Sequence, residues 1–123
     1  EDEGVDLRRV VVGHCHSYPH HDYHAEIAKR GAFVEFDRLG TTEAFEQRRW
    51  MGLIKAMIDA GLIKHLLFSQ DVCNRTDYLI YGGKGYAYIP TKLQKDLEVL
   101  GVTKEQFNQI TIENPKRALF GYD

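Results

Sequence analysis

Short apolar runs alternate along the chain with longer stretches in which apolar residues recur at helical spacing. Three runs, Val10-Val11-Val12, Ala32-Phe33-Val34-Glu35-Phe36 and Leu66-Leu67-Phe68, are rich in β-branched, leucine and aromatic residues and are bounded by polar residues or glycine. That composition and length predict strands. Between the first two, Asp22 to Arg30 sets Tyr23, Ile27 and Ala28 at helical intervals and closes on Gly31, a natural C-cap. The second connection carries Phe45, Trp50, Leu53, Ile54, Met57 and Ile58 on one helical stripe that stops at Gly61. Thr42, followed by Glu43 and Glu46, supplies an N-cap and an acidic first turn. After the third run, residues 74–88 gather Gly82, Gly83 and Gly85 among four tyrosines, which predicts a long loop. Helical patterning returns from Thr91 to Leu100, ends at Gly101, and restarts at Thr103 with a Thr-Lys-Glu-Gln capping box. Asn114-Pro115 is expected to break that helix and open a last one to Phe120.

Strands that alternate with helices and are apolar almost throughout predict a parallel α/β sheet, with all strand C-termini at one end. The polar chemistry gathers there: Gly13-His14-Cys15-His16 after the first strand, Asp37-Arg38 after the second, Ser69-Gln70-Asp71 after the third. Barrels and open α/β sheets alike build their sites at this end. Three strands do not close a barrel, which typically takes about 250 residues. Residues 1–123 therefore read as a single partial domain, and the start at Glu1 without a methionine reads as a processed or partial product.

Composition narrows the function classes. With 16 basic and 18 acidic residues the formal net charge is -2, so there is no basic surplus for a nucleic-acid backbone or an anionic membrane. No apolar run approaches the roughly 20 residues of a membrane span. Cys15 and Cys73 read as free thiols in a reducing compartment, which places the protein in the cytoplasm.

Imidazole and carboxylate are ligand types that suit zinc and similar divalent ions. From the residues alone two readings of His14 and Asp71 stand open: metal ligands, or a hydrogen-bonded histidine and a loop cap. The tract from His14 to His24 is rich in further donors but has no second Cys/His pair at finger spacing. His20, His21 and His24 are expected to face solvent, and Cys15 to pack.

The wording around these positions resembles one family. Val-Val-Val-Gly-His14-Cys, Ala-Lys-Arg-Gly-Ala-Phe-Val-Glu-Phe-Asp37-Arg38-Leu-Gly, Leu-Leu-Phe-Ser-Gln-Asp71, Tyr-Gly-Gly-Lys-Gly-Tyr and Ile-Glu-Asn-Pro-Lys-Arg resemble, in that order, the C-terminal part of the phosphotriesterase family of the amidohydrolase superfamily. The resemblance implies strands six to eight of a (β/α)8 TIM-type barrel. It implies His14 as a ligand of the more exposed ion of a binuclear centre, with zinc, or manganese, cobalt or iron, as the metal. Asp71 corresponds to the aspartate that binds the more buried ion and hydrogen-bonds the bridging hydroxide, which makes it both ligand and catalytic base. Arg38 stands where organophosphate-degrading members carry histidine, and Ser17 where they carry an aspartate relay. Both departures resemble the lactonase-leaning branch, with Arg38 as a catalytic or substrate-orienting residue. Cys73, Tyr81 and Tyr86 are implied to line the substrate pocket, with Tyr78 beside them.

The expected function is a metal-dependent hydrolase of lactones, carboxylic esters or phosphoesters acting through a metal-activated hydroxide. The family's first-strand histidine pair, fourth-strand lysine and fifth-strand histidine are outside these residues, so the missing N-terminal half of the barrel is the expected partner. The alternative is a non-catalytic half-barrel that pairs through its strand edges with that half or with a second copy, as a homo-oligomer. An open flavodoxin-like sheet is disfavoured because no glycine-rich phosphate turn follows the first strand.

Overall fold

Each of the three apolar runs forms a strand, in the order the pattern predicts. The computed structural model describes residues 3–40 and 43–121. The strands β1 (Val11–Val12), β2 (Phe33–Phe36) and β3 (Leu66–Phe68) make one parallel sheet in the order β1-β2-β3. Val11 pairs with Phe33 and Val12 with Val34, while Val34, Glu35 and Phe36 pair with Leu66, Leu67 and Phe68. Because side chains alternate along a strand, this register sorts the sheet into two faces. Val34, Phe36 and Leu66 enter the main core with Phe68 packed against them, whereas Phe33, Glu35 and Leu67 fall on the other face.

Helices cover the first face. The connection β1 to β2 contains α1 (His21–Lys29), and β2 to β3 contains α2 (Ala44–Asp59). Thr42, the expected N-cap of α2, lies outside the described residues. The buried stripe of α2 is Gln47, Trp50, Met51, Ile54, Met57 and Ile58, and each such apolar side chain contributes about 1.5–3 kcal/mol by leaving water. Phe45 does not join it and stays exposed, one turn before the stripe meets the core. In α1 the buried residues are His24, Ala25 and Ala28, with Ile27 packed at the margin. Tyr23 points outward against Tyr18 instead.

That shift overturns the expectation of a solvent-facing His24. Its ring is fully buried, Nε2 lies 2.8 Å from the Cys15 carbonyl, and its edge meets Phe36. The small side chains of Ala25 and Ala28 let α1 approach the sheet closely, which carries His24 inward with them.

The C-terminal third also departs from expectation. A π turn, Ile89–Leu93, runs directly into α3 (Gln94–Val99); Thr103 then caps α4 (Lys104–Asn108) through the expected box, with Gln106 returning the bond. Asn114-Pro115 does not break the chain's helical path. A second π turn, Gln109–Glu113, joins α4 to α5 (Asn114–Phe120), and the looser turn accommodates the proline's missing N–H. Asn114 is fully buried and its Nδ2 donates to the carbonyls of Ile63 (2.8 Å) and Leu66 (2.7 Å), locking α5 onto the start of β3. Among the described residues no helix is long and apolar enough to cross a membrane.

Candidate metal centre at the C-terminal ends of the strands

Parallel pairing sends the residues after β1, β2 and β3 to the same end of the sheet. His14, just past Gly13, and Asp71, three residues past Phe68, both adopt left-handed backbone, with φ 54° and 48°. They are the only described residues other than glycine with positive φ, a conformation that L side chains adopt at some energetic expense and that concentrates at functional sites.

Asp37, at the end of β2, organises the cluster. Its Oδ2 accepts the backbone N–H of His14 at 2.8 Å, and its carboxylate lies 2.8 Å from His14 Nδ1. The carboxylate holds His14's proton affinity above the ordinary imidazole value, chiefly through that hydrogen bond, with a smaller contribution from the charge of Asp71. Bonding at Nδ1 fixes the ring and leaves Nε2 as the outward donor atom, on a side chain that is 64% exposed. Gly13 gives the carboxylate room beneath: a Cβ there would sit a tight 3.2 Å from Asp37 Oδ2.

His16 completes the group. Its Nδ1 is 3.0 Å from Asp37 Oδ1 but out of line for a hydrogen bond, so that nitrogen is buried without a hydrogen-bonding partner among the described residues. The ring stacks obliquely on Trp50 at 4.6 Å, and burial lowers its proton affinity. Donor atoms of His14, His16 and Asp37 all lie within 4.8 Å of one another, close enough to surround an ion. Asp71 lies outside that group, though its charge acts on the His14 ring. Asp37 already accepts two bonds from His14, which favours it as the group that orients the ligand over being one itself.

His16 stood in the strand-end tract that the sequence singled out, without an assigned role, whereas Glu35 was not legible as part of this site. Glu35 is half-buried on the face away from the helices, and burial, then the Asp37 charge, raises its carboxyl above the usual range. Its position as the odd residue in an otherwise apolar strand was the available signal.

The expected pocket residues divide. Arg38 is exposed and borders a polar cavity of about 560 Å³ together with His16, Arg49 and Trp50. Tyr78 and Tyr86 pair at 6.0 Å between ring centres. Tyr81 turns to Arg75, whose Nη2 donates to its hydroxyl at 2.7 Å. Cys73 is exposed, with its Sγ 3.3 Å from Asn74 Nδ2. The loop carrying them is ordered from within: Asp77 Oδ2 accepts the N–H groups of Cys73 and Asn74, and Gln70 Nε2 donates to Gly85 O at 2.6 Å. Cys15, by contrast, is buried and its thiol is pushed up to about 11 by desolvation, as packing requires.

Known proteins share this fold. A model of the phosphotriesterase family matches residues 1–119. The chain is 31% identical over 114 residues to the phosphotriesterase homology protein of Escherichia coli, covering 93% of this chain and 39% of that protein. The crystal structure of that protein, complexed with phosphate in its active site, superposes with a TM-score of 0.88 at 30% identity over 94% of this chain and 40% of its own. An N-acetyltaurine hydrolase of Dictyostelium discoideum is 29% identical over 133 aligned positions, covering 97% of this chain and 35% of that protein. A lactonase from Listeria monocytogenes shares the fold, with a TM-score of 0.87 at 24% identity over 99% of this chain and 39% of its own. The chain thus spans about two fifths of the length of the proteins it matches.

Proposed function

The chain belongs to the phosphotriesterase family, and from that premise we propose that it is the part of a metal-dependent hydrolase barrel holding strands six to eight. His14 and Asp71 are the metal ligands it contributes. The observation that carries this reading is the arrangement of His14: Asp37 ties its Nδ1 and its backbone N–H, Nε2 points away from that anchor, and Asp71 lies close enough for its charge to act on the ring. An imidazole and a carboxylate suit zinc, manganese, cobalt or iron. Such an ion, when bound, supplies Lewis acidity toward a substrate oxygen and lowers the pKa of water.

The chain's own residues take the remaining roles. Asp37 orients His14 and strengthens it as a donor. Asp71 accepts a proton from the attacking water, its exposed carboxylate being the nearest described base on the third strand end. Arg38 sits at the mouth of the polar cavity beside His16, where a guanidinium fork binds and orients a substrate oxygen. Tyr86, paired with Tyr78, and more distantly Tyr81 and Cys73 form the wall after β3. The substrate is a small lactone, carboxylic ester or phosphoester. The relative named for N-acetyltaurine hydrolysis supports a carbonyl substrate, as does Arg38 in place of histidine.

The partner is the remainder of the barrel. Val11, on the outer strand β1, is 42% exposed, and a neighbouring strand would cover it and complete the ligand set. The test is hydrolysis of a panel of lactones and aryl esters by the full-length, zinc-loaded protein. His14→Asn and Asp71→Asn should each lower kcat/KM by roughly 10²-fold or more; wild-type rates in both variants would refute the assignment.

A further inference from the structure

We infer that the N-terminal end of the sheet carries an anion-binding site, opposite His14, Asp37 and Asp71, for a small organic molecule bearing a phosphate or carboxylate group. A cavity of about 390 Å³ opens there, bordered by Arg8, Arg9, Arg117, His65, Phe33 and Phe120. That volume lies within the range of small-molecule sites, roughly 300–1,000 Å³. The topology fixes its location. Arg8 and Arg9 precede β1, Phe33 opens β2 and His65 immediately precedes β3, whereas His14, Asp37 and Asp71 follow the same strands, about 13 Å away along the four residues of β2.

Charge and anchoring point to an anion. Among the described residues the single carboxylate at the rim is Asp6, and Arg8 engages it, with Nε at 3.0 Å and Nη2 at 2.9 Å. Arg9 and Arg117 then stand in excess: among the described residues neither has a carboxylate within ion-pair distance. Each is instead held by one N–H on a carbonyl, Arg9 Nη2 to Leu119 O at 3.1 Å and Arg117 Nη1 to Lys64 O at 2.7 Å. A guanidinium has five donors, so one bond fixes the fork and leaves the rest for an oxyanion.

Two further features keep the forks in place. The Arg117 guanidinium lies over the Phe33 ring, 5.9 Å from its centre. Gly121 has φ +72°, and a Cβ there would fall 2.7 Å from Arg9 Nη1, so any larger residue would displace the arginine. His65 borders the same space with Nδ1 3.2 Å from Ala32 O, which sets an imidazole ring beside the arginines to report on a bound anion. Phe33 and Phe120 give the cavity an apolar wall for the organic part of the molecule.

The test uses the full chain with histidine rings labelled for NMR, titrated with inorganic phosphate and, separately, with acetate. The expected result is a saturable shift of the His65 ring by at least one probe, and the arm that saturates names the oxyanion. Arg9→Gln and Arg117→Gln should each weaken it about tenfold or more, while any response of His14 to phosphate persists. If a glutamine variant fails to fold, Arg117→Lys, which keeps the charge and loses the fork, replaces it with the same weakening expected. A His65 ring unmoved by both probes would overturn the inference. So would a shift of equal strength in folded arginine variants.

Discussion

His14 and Asp71 share a backbone conformation that no other described residue except glycine adopts, and they do so at the matching ends of β1 and β3. These two left-handed residues put an imidazole and a carboxylate at one end of the sheet, near enough for the Asp71 charge to act on His14. Holding an L residue there has an energetic cost, so function and stability oppose each other at these positions. Asp71→Gly should raise unfolding stability by about 0.5–1 kcal/mol in urea denaturation while abolishing tight metal retention. A destabilised glycine variant would contradict the reading of strain.

Asn114 predicts the opposite behaviour. Its amide donates to two carbonyls that frame the entry to β3, the part-buried Ile63 O and the buried Leu66 O. Asn114→Ala removes the side-chain donor from the buried Leu66 carbonyl, while Ile63 O keeps the Leu66 N–H, and should lower stability by about 1–3 kcal/mol, read from the shift in denaturation midpoint. A loss below about 0.5 kcal/mol would mean that other donors replace it.

Buried histidines set the response to acid. Burial lowers the proton affinity of His24 and of His65 below the ordinary value of 6.5. The unfolded chain therefore takes up protons first as pH falls. Stability from these groups is complete above pH 6.5 and is lost as pH drops through 6.5 toward the lower folded-state values. Urea midpoints should fall between about pH 7.5 and about pH 5.5, and His24→Gln, which keeps a donor toward the Cys15 carbonyl, should flatten part of that slope. An unchanged slope in the variant would remove His24 from the account.

The two thiols should separate cleanly. Cys15 is buried, donates its S–H to the Val12 carbonyl at 3.1 Å, and has its pKa pushed up to about 11; at pH 8 only about one molecule in a thousand carries the thiolate. Cys73 is exposed. A disulfide reagent should titrate one thiol in the native chain and two after denaturation, and rapid modification of both in the folded state would contradict the packing described.

Much of this was readable from the pattern of residues. The three strands, their parallel order and the Thr103 capping box are dictated by local composition, so they appear in the sequence directly. The orientation of α1 was not readable, because Tyr23 and His24 are adjacent and only the close approach allowed by Ala25 and Ala28 decides which one faces the sheet. The π turn before Asn114 was hidden for a similar reason: Asn-Pro reads as a stop until a buried amide needs Ile63 and Leu66 as acceptors. Strand-end position singled out His14 and Asp71 as candidates, and both do lie at that end of the sheet. The role of Asp37 as the clamp on His14, and its approach to His16, depend on distances across two strand ends that no spacing along the chain encodes.

The central claim concerns which face of His14 meets the metal. Anomalous X-ray scattering from crystals of the full-length protein loaded with zinc tests it most directly. The predicted result is an ion with His14 Nε2 and the Asp71 carboxylate in its coordination sphere and Asp37 behind the imidazole at Nδ1. An ion held instead by His14 Nδ1, His16 and Asp37, with Asp71 uninvolved, would contradict it.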